Sequence, residues 1–375
     1  MILRQTSPFY QQCSRCVMDT RAPDIVFNEA GICSYCEEFE KILKSKKHLQ
    51  DDVDILVRKI KKEGKRKKYD CIVGISGGVD SAYTLYKATQ LGLRPLAVHM
   101  DNGWNSELAV HNIKNLITQL KVDLYTYVID WEEYKMMMQC YFDADVVDIE
   151  VLYDNAVMGV VYRVARRYGV KYILGGTNTS TEGMRMPYTW RWFKNDKKNI
   201  VSIIRQKQVR IKTYPIFGNI DRLWYYLKGI RWIDFLDYLP DYNKNKAIQI
   251  LKEQFHYKPY PYKHYESVFT RFYQGYILPN KFNIDKRTLH LSALIMTNQL
   301  SREEAQRILQ QIPYESEQLL KEDIEFFLKK MGWTKEQLEE YIQRPPKSHE
   351  LYGTEIPLMI WVNRVIKLLH KMGIQ

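Results

Sequence analysis

The sequence has no uninterrupted apolar run of 18 residues, so no segment of it reads as a transmembrane helix. Its opening, MILRQTSPFYQQC, has no apolar h-region and reads as mature cytoplasmic sequence rather than a secretory signal. Cysteine is scarce: Cys13, Cys16, Cys33, Cys36, Cys71 and Cys140 are the six in 375 residues. Neither Cys71 nor Cys140 has the flanking glycines of a nucleophile elbow, and the chain begins Met1-Ile2 rather than with cysteine. A glutaminase nucleophile is therefore missing, and an enzyme built on this chain that consumes ammonia must receive it from another protein. Also missing are the G-x-x-x-x-G-K-[ST] spacing of a Walker loop, any internal repeat and any low-complexity tract.

Positive charge is in surplus. The formal net charge is +12, which points to an anionic partner: a nucleotide, a nucleotide-sugar, nucleic acid or a membrane surface. Much of the surplus sits in Arg58–Lys68, with eight positive residues against Glu63. Such a run is ordinarily a solvated helix face or linker, with nucleic-acid contact the minority reading. At 375 residues the chain has room for two or three units around a large core.

From Tyr69 the pattern alternates. Asp70–Ile75 is a short apolar run of the buried parallel-strand type, and Ala82–Leu91 is helical up to Gly92. Arg94–Met100 is a second strand, followed by a helix near Ser106–Leu120 and a strand near Leu124–Ile129. A helix near Asn155–Tyr168 then leads into the strand Lys171–Leu174. This alternation predicts a doubly wound parallel α/β sheet with its ligand at the strand C-termini. Beyond Gly183 the periodicity is mainly helical and rich in aromatics, among them Trp190, Trp192 and Trp224. These read as core, with stacking on a base or sugar the alternative. Ser301-Arg302-Glu303-Glu304 reads as a capping box.

Between the first strand and helix lies Ser76-Gly77-Gly78-Val79-Asp80-Ser81. Paired glycines let backbone amides approach a phosphate, the following helix N-terminus favours an anion, and Asp80 is placed to hold Mg²⁺ against it. The motif matches the SGGxDS PP-loop of the ATP pyrophosphatases, which cleave ATP between its α- and β-phosphates. A second glycine–polar segment, Gly175-Gly176-Thr177-Asn178, follows the strand Lys171–Leu174 and belongs at the same sheet edge. Asp101, ending the intervening strand, faces that crevice or caps a turn.

Cys13-x-x-Cys16 and Cys33-x-x-Cys36 have the spacing of a closed tetrahedral Zn²⁺ site, with room for a β-hairpin between the pairs. A segment this short buries little core, so the metal is structural and supplies its folding energy; an iron–sulfur cluster is the alternative.

With these motifs in place, the sequence resembles the N-acetyl sugar amidotransferases of the WbpG type, from bacterial surface-polysaccharide synthesis. The likeness rests on Cys13-Ser14-Arg15-Cys16-Val17-Met18-Asp19-Thr20 with Cys33–Cys36, the PP-loop, and Gly176-Thr177-Asn178. It extends through Lys263-His264-Tyr265-Glu266-Ser267, Thr270-Arg271-Phe272, Asp285-Lys286-Arg287 and His290-Leu291-Ser292. The resemblance implies a PP-loop (HUP-like) α/β fold with a zinc knuckle over 1–37 and a basic helical linker over 38–68. An ATP domain would cover 69–220, and a mainly helical substrate and partner region 221–375. It further implies adenylation of an N-acetyl group on a nucleotide-activated sugar, such as a UDP-diacetamido uronic acid of lipopolysaccharide O-antigen synthesis. Ammonia from a partner glutaminase of the imidazole-glycerol-phosphate-synthase type would then displace AMP and leave an acetamidino group. A cyclase-like subunit would be a further partner. Lys212, Lys258, Lys281, Lys286 and Arg287 would suit the diphosphate and the departing pyrophosphate. Beside Asp80 and Ser81, the catalytic candidates are His264 as general base toward ammonia, Glu266 orienting it, and Arg271; a capped helix start is the competing reading. The rival function is a PP-loop tRNA-modifying enzyme, a thiolase or lysidine-type ligase, served by the basic charge. A zinc adaptor without catalysis is a third reading, and it leaves the SGGVDS loop unexplained.

Overall fold

The computed structural model describes residues 10–240 and 242–372; the first nine residues of the expected 1–37 module lie outside them. Its centre is a five-stranded, all-parallel sheet in the order β3-β2-β1-β4-β5. The strands are β1 (Cys71–Gly74), β2 (Pro95–Asp101), β3 (Asp123–Val128), β4 (Tyr172–Gly175) and β5 (Arg231–Asp234). Strand order reverses between β1 and β4, the switch point where an open α/β sheet leaves a crevice at its C-terminal edge.

Side-chain parity divides the core. Cys71, Val73, Ala97, Tyr172 and Leu174 share one buried cluster with α2 (Val53–Gly64), α3 (Val79–Gln90) and α4 (Glu107–Leu120). Ile72, Leu96, Val98 and Ile173 point the other way, against α6 (Val151–Arg167) and the C-terminal helices. Both faces of β1, β2 and β4 are covered, which is why these strands read as continuous apolar runs, whereas the edge strand β3 is largely exposed. The helix α2 buries Leu56, Val57 and Ile60 on the sheet and turns Arg58, Lys59, Lys61 and Lys62 outward, and Lys65 and Arg66 past its end are exposed too. The first half of the basic run is thus the outer face of a packed helix, and the second half is the turn that follows it.

Two elements escaped the sequence pattern. The helix α5 (Trp131–Asp143) follows β3, capped by Asp130 accepting from the Glu133 amide at 2.9 Å. The edge strand β5 lies in the stretch expected to be mainly helical; four half-buried residues give little periodicity to read. Among the described residues of the module, isolated bridges, Gln12 to Asp19 around the first cysteine pair and Phe27 to Cys33 before the second, replace a hairpin of regular strands. The second pair opens α1 (Ser34–Lys46), while α7 (Thr179–Glu182) follows β4. No helix among the described residues is long and apolar enough to cross a membrane.

The buried helix α6 approaches the loop before Asn219 so closely that a Cβ on Gly159 would stand 1.7 Å from the Pro215 carbonyl oxygen. Gly159→Ala is therefore expected to lose about 1–3 kcal/mol of stability despite alanine's better helix propensity; urea unfolding measures this, and a neutral or stabilising effect would contradict the packing.

Candidate active site

The loop after β1 is built for close approach. Gly77 has φ +88°, and a Cβ there would lie 2.9 Å from the Ala109 carbonyl oxygen, so conformation and space both demand glycine. Its carbonyl accepts from the hydroxyls of Tyr257 (3.2 Å) and Tyr260 (3.3 Å). Gly78 caps α3, whose first turn carries Asp80 and Ser81. A Cβ on Gly176 would lie 2.8 Å from the Ser81 amide nitrogen, so the second glycine segment packs backbone to backbone against this turn.

Beside that turn, one ammonium joins three segments. Lys263 Nζ is 2.7 Å from Asp80 Oδ2, 2.9 Å from Glu182 Oε1 and 2.8 Å from Thr181 Oγ1. The Tyr242 hydroxyl donates to the other Asp80 oxygen. Burial by itself would raise the Asp80 carboxyl, but the Lys263 charge and these hydrogen bonds outweigh it and hold the group ionised below its ordinary range.

Glu266 arrives from a distant part of the chain because its backbone pairs with the loop after β2. The Ser106 amide donates to the Glu266 carbonyl (2.9 Å), and the Val268 amide donates to the Trp104 carbonyl (2.9 Å). Its carboxylate accepts from Ser76 Oγ at 3.2 Å. His264, in a left-handed conformation at φ +65°, stands between two carboxylates, with Glu182 3.8 Å and Glu266 3.9 Å from its ring nitrogens. Burial disfavours charge on His264, yet the neighbouring Glu266 raises its pKa above the ordinary value; Glu266 is correspondingly lowered against its own burial.

These groups line one cavity of about 730 Å³ that also takes in α6, from Val161 beside Gly74 to Glu150 just before its first turn. At 1.5 Å per helical residue that wall is about 16 Å long. The far wall is polar and internally paired: Lys286 binds Glu150 (2.7 Å), Gln274 donates to Glu150 (3.0 and 3.1 Å), and Lys194 bridges Asp148 and Asp154 (both 2.9 Å).

Of the residues expected at the site, Ser76, Gly78, Val79, Asp80, Ser81, Gly176, Thr177, His264, Glu266 and Lys286 line this cavity. Gly77 and Asn178 act from behind it, Gly77 through its backbone and Asn178 by capping α7 through the Thr181 amide at 2.9 Å. Asp101 does not face the cavity: its carboxylate turns back onto the Gly103 amide (2.8 Å), so the turn cap is the correct reading. Arg271 is a second correction. Its guanidinium is locked onto Asp323 by hydrogen bonds of 2.6 and 2.7 Å, with Tyr314 on the same carboxylate. Lys281 and Arg287 are likewise structural, the first buried on Asp145 (3.1 Å), the second on Asp285 and the carbonyls of Ile308, Gln311 and Ile312. Trp190 and Trp192 are core, and Trp192 stacks on His349. The cavity's tryptophan is Trp232 of β5. Missed altogether were the roles of Lys263, Glu182, Tyr242 and Lys244. The first two sit in segments already singled out; the last two are legible only once the helix Lys244–Phe255 packs against α3.

The four N-terminal thiols form a second site. Their sulfurs lie within 4.8 Å of one another, with Cys13–Cys36 at 3.9 Å, Cys16–Cys33 at 3.7 Å and Cys33–Cys36 at 3.6 Å. Thiolates about 2.3 Å from one tetrahedral ion stand about 3.8 Å apart, so the set fits a single ion. The Arg15, Cys16, Met18 and Cys33 amides point at these sulfurs (3.3–3.4 Å) and would offset their charge. Cys71 and Cys140 are buried, with the Cys140 thiol pushed up by burial to about 11. Neither is poised as a nucleophile.

Comparison with known proteins fits both halves of the cavity. Residues 48–192 match the NAD synthase family, and residues 266–367 match the family described as LPS biosynthesis protein WbpG-like, C-terminal domain. The chain thus joins an NAD-synthase-like PP-loop region to a WbpG-like C-terminal domain. The WbpG-type match begins at Glu266, the residue that reaches the PP-loop serine. A search of curated proteins gives no match. Similar solved structures include NMN synthetase from Francisella tularensis, 18% identical with a TM-score of 0.29, covering 60% of this chain and 99% of that one. Another is U34-tRNA thiolase NcsA from Methanococcus maripaludis with its 4Fe-4S cluster, 14% identical with a TM-score of 0.32, covering 82% and 91%. At these scores neither likeness carries an argument about activity.

Arg271→Ala should lose about 3 kcal/mol of stability, because Asp323 is left with a buried charge and only Tyr314. The ATP affinity of the folded variant should be unchanged. Urea unfolding and ATP titration of the same variant separate the two; weakened ATP binding without destabilisation would return Arg271 to the site.

Proposed function

We propose that the protein is an ATP-dependent amidotransferase, converting an N-acetyl group of a nucleotide-activated sugar to an acetamidino group in surface-polysaccharide synthesis. The observation that carries this reading is that the NAD-synthase-like PP-loop and the WbpG-like segment beginning at Glu266 line one cavity. The cavity runs from the PP-loop along α6, so a second ligand bound there would meet a nucleotide held at the loop.

In this reading the PP-loop amides and the N-terminus of α3 hold the ATP phosphates. Mg²⁺ on Asp80 and Glu182 would neutralise phosphate charge. Lys263 already sits between those carboxylates as a cation, and Lys244, partly shielded in the cavity wall, adds a second ammonium. The acetamido oxygen attacks the α-phosphorus and pyrophosphate leaves, which replaces a poor leaving group by AMP. Ammonia then adds to the imidate carbon, AMP departs, and the proton lost from nitrogen passes to His264, whose raised pKa makes it the stronger base. Ammonia comes from a separate glutaminase, with a cyclase-like subunit as a further partner. A tetrahedral Zn²⁺ in the four-cysteine site would be structural, and elemental analysis should find about one zinc per chain; iron with acid-labile sulfide would instead favour a thiolase.

Given ATP, a UDP-linked N-acetylated sugar and high ammonium, the purified protein should release a product lighter by the difference between O and NH. Glutamine alone should not support turnover. Stimulation of pyrophosphate release by tRNA, and not by any nucleotide-sugar, would overturn the reading in favour of tRNA modification. Asp80→Ala and Ser76→Ala should abolish turnover with the fold intact. In Glu266→Gln the carboxylate that raises the His264 pKa is gone, so the acid limb of the residual pH–rate profile should move to lower pH. A limb that stays in place would remove His264 as the base.

A further inference from the structure

The four-cysteine module does more than close on itself. Its second pair opens α1, and three residues along that helix grip the stretch that forms one wall of the cavity. Glu38 accepts from Arg185 Nε at 2.6 Å. Phe39 packs so tightly on Gly183 that a Cβ there would lie 2.4 Å from its ring. Lys46, at the last position of α1, binds Asp237 Oδ2 at 2.5 Å, and Asp237 in turn receives the Thr179 amide (2.6 Å) and hydroxyl (3.0 Å). Within the cysteine pair itself, Tyr35 lies under the Arg185 guanidinium (4.4 Å) and donates to Asp24, which takes Arg185 Nη1 at 2.7 Å. The gripped stretch, 179–185, contains Thr181 and Glu182, two of the three groups that hold Lys263 against Asp80.

A loop of this kind has little order of its own: α7 is a single turn, and Gly183 leaves no side chain to pack. Its position is set from outside: the helix Arg287–Met296 packs on α7, while α1, whose first turn contains a candidate metal-ligand cysteine, holds Gly183 and Arg185 at the cavity end of the stretch. We infer that the four-cysteine module is a positioning element of the nucleotide pocket, transmitting metal occupancy through α1 to residues 179–186. Glu38, Phe39 and Lys46 are its positioning residues: Glu38 holds Arg185, Phe39 packs on Gly183, and Lys46 holds the Asp237 that caps Thr179. This inference rests on the reading above only in taking ATP as the pocket's ligand.

Glu38→Gln and Lys46→Met test it, because neither residue ligates the metal or lines the cavity. In the full-length protein both should retain their metal, measured by elemental analysis. Together they should weaken Mg·ATP binding by about tenfold, the size typical of lost outer-shell support. Turnover at saturating ATP should change far less than the KM for ATP. Independently of any ligand, chelating the metal from the wild-type protein should raise hydrogen–deuterium exchange across 179–186 while β1 and β2 stay protected. Wild-type ATP affinity in the double variant, or an exchange response confined to residues 10–46, would overturn the inference. If the wild-type protein binds no ATP, the pocket's assignment fails and the exchange experiment alone decides the coupling.

Discussion

The Lys263 ammonium between Asp80 and Glu182 is the interaction on which the rest of the site depends. It joins the first turn of α3, the turn after β4 and the 260s segment, which are otherwise separate pieces of chain. A carboxylate as buried as Asp80 stays charged only with a partner. The pair of acids therefore forms a cation-binding position that is always filled in the absence of ligand. That arrangement stores the site's charge in place, so that a polyphosphate with its own cation can exchange partners with Lys263 without creating an unpaired group. The neighbouring histidine repeats the pattern at lower strength, held between Glu182 and Glu266.

Around this node the chain separates two tasks. The sheet and its two covers supply rigidity, with alternate residues of each strand committed to different cores. Across from α6, the cavity is walled by pieces with little regular structure of their own: the PP-loop, the turn after β4 and the segment before Val268. Each is positioned by something larger. The PP-loop is held by β1 and α3, the 266–268 segment by backbone pairing with the loop after β2, and the 179–185 stretch by α1 and Asp237.

What the sequence made legible follows the range of the interactions. The PP-loop was readable because its glycines answer to local demands, and Gly77 and Gly176 meet those demands in full. The cysteine pairs were readable because ligand spacing is itself the chemistry, and four sulfurs converge as that spacing requires. The charged residues of the 263–287 region were not separable by inspection. His264, Glu266 and Lys286 reach the cavity, while Arg271, Lys281 and Arg287 are neutralised by Asp323, Asp145 and Asp285. Two of those three acids lie more than 50 residues away, and nothing in the local pattern announces them. Asp101 failed for the opposite reason, since a turn cap two residues away outcompeted the crevice. The short strand β5 carries too few buried residues to show a period, yet it contributes Trp232 to the cavity.

The central claim is that this pocket breaks ATP between its α- and β-phosphates, with the α-phosphorus facing the second ligand along α6. ATP labelled at the α-phosphate, incubated with the protein, a UDP-linked N-acetylated sugar and ammonium, tests it most directly. The account predicts that the label leaves as AMP, in step with pyrophosphate and amidine. Recovery of the label as ADP, with inorganic phosphate released, would contradict it.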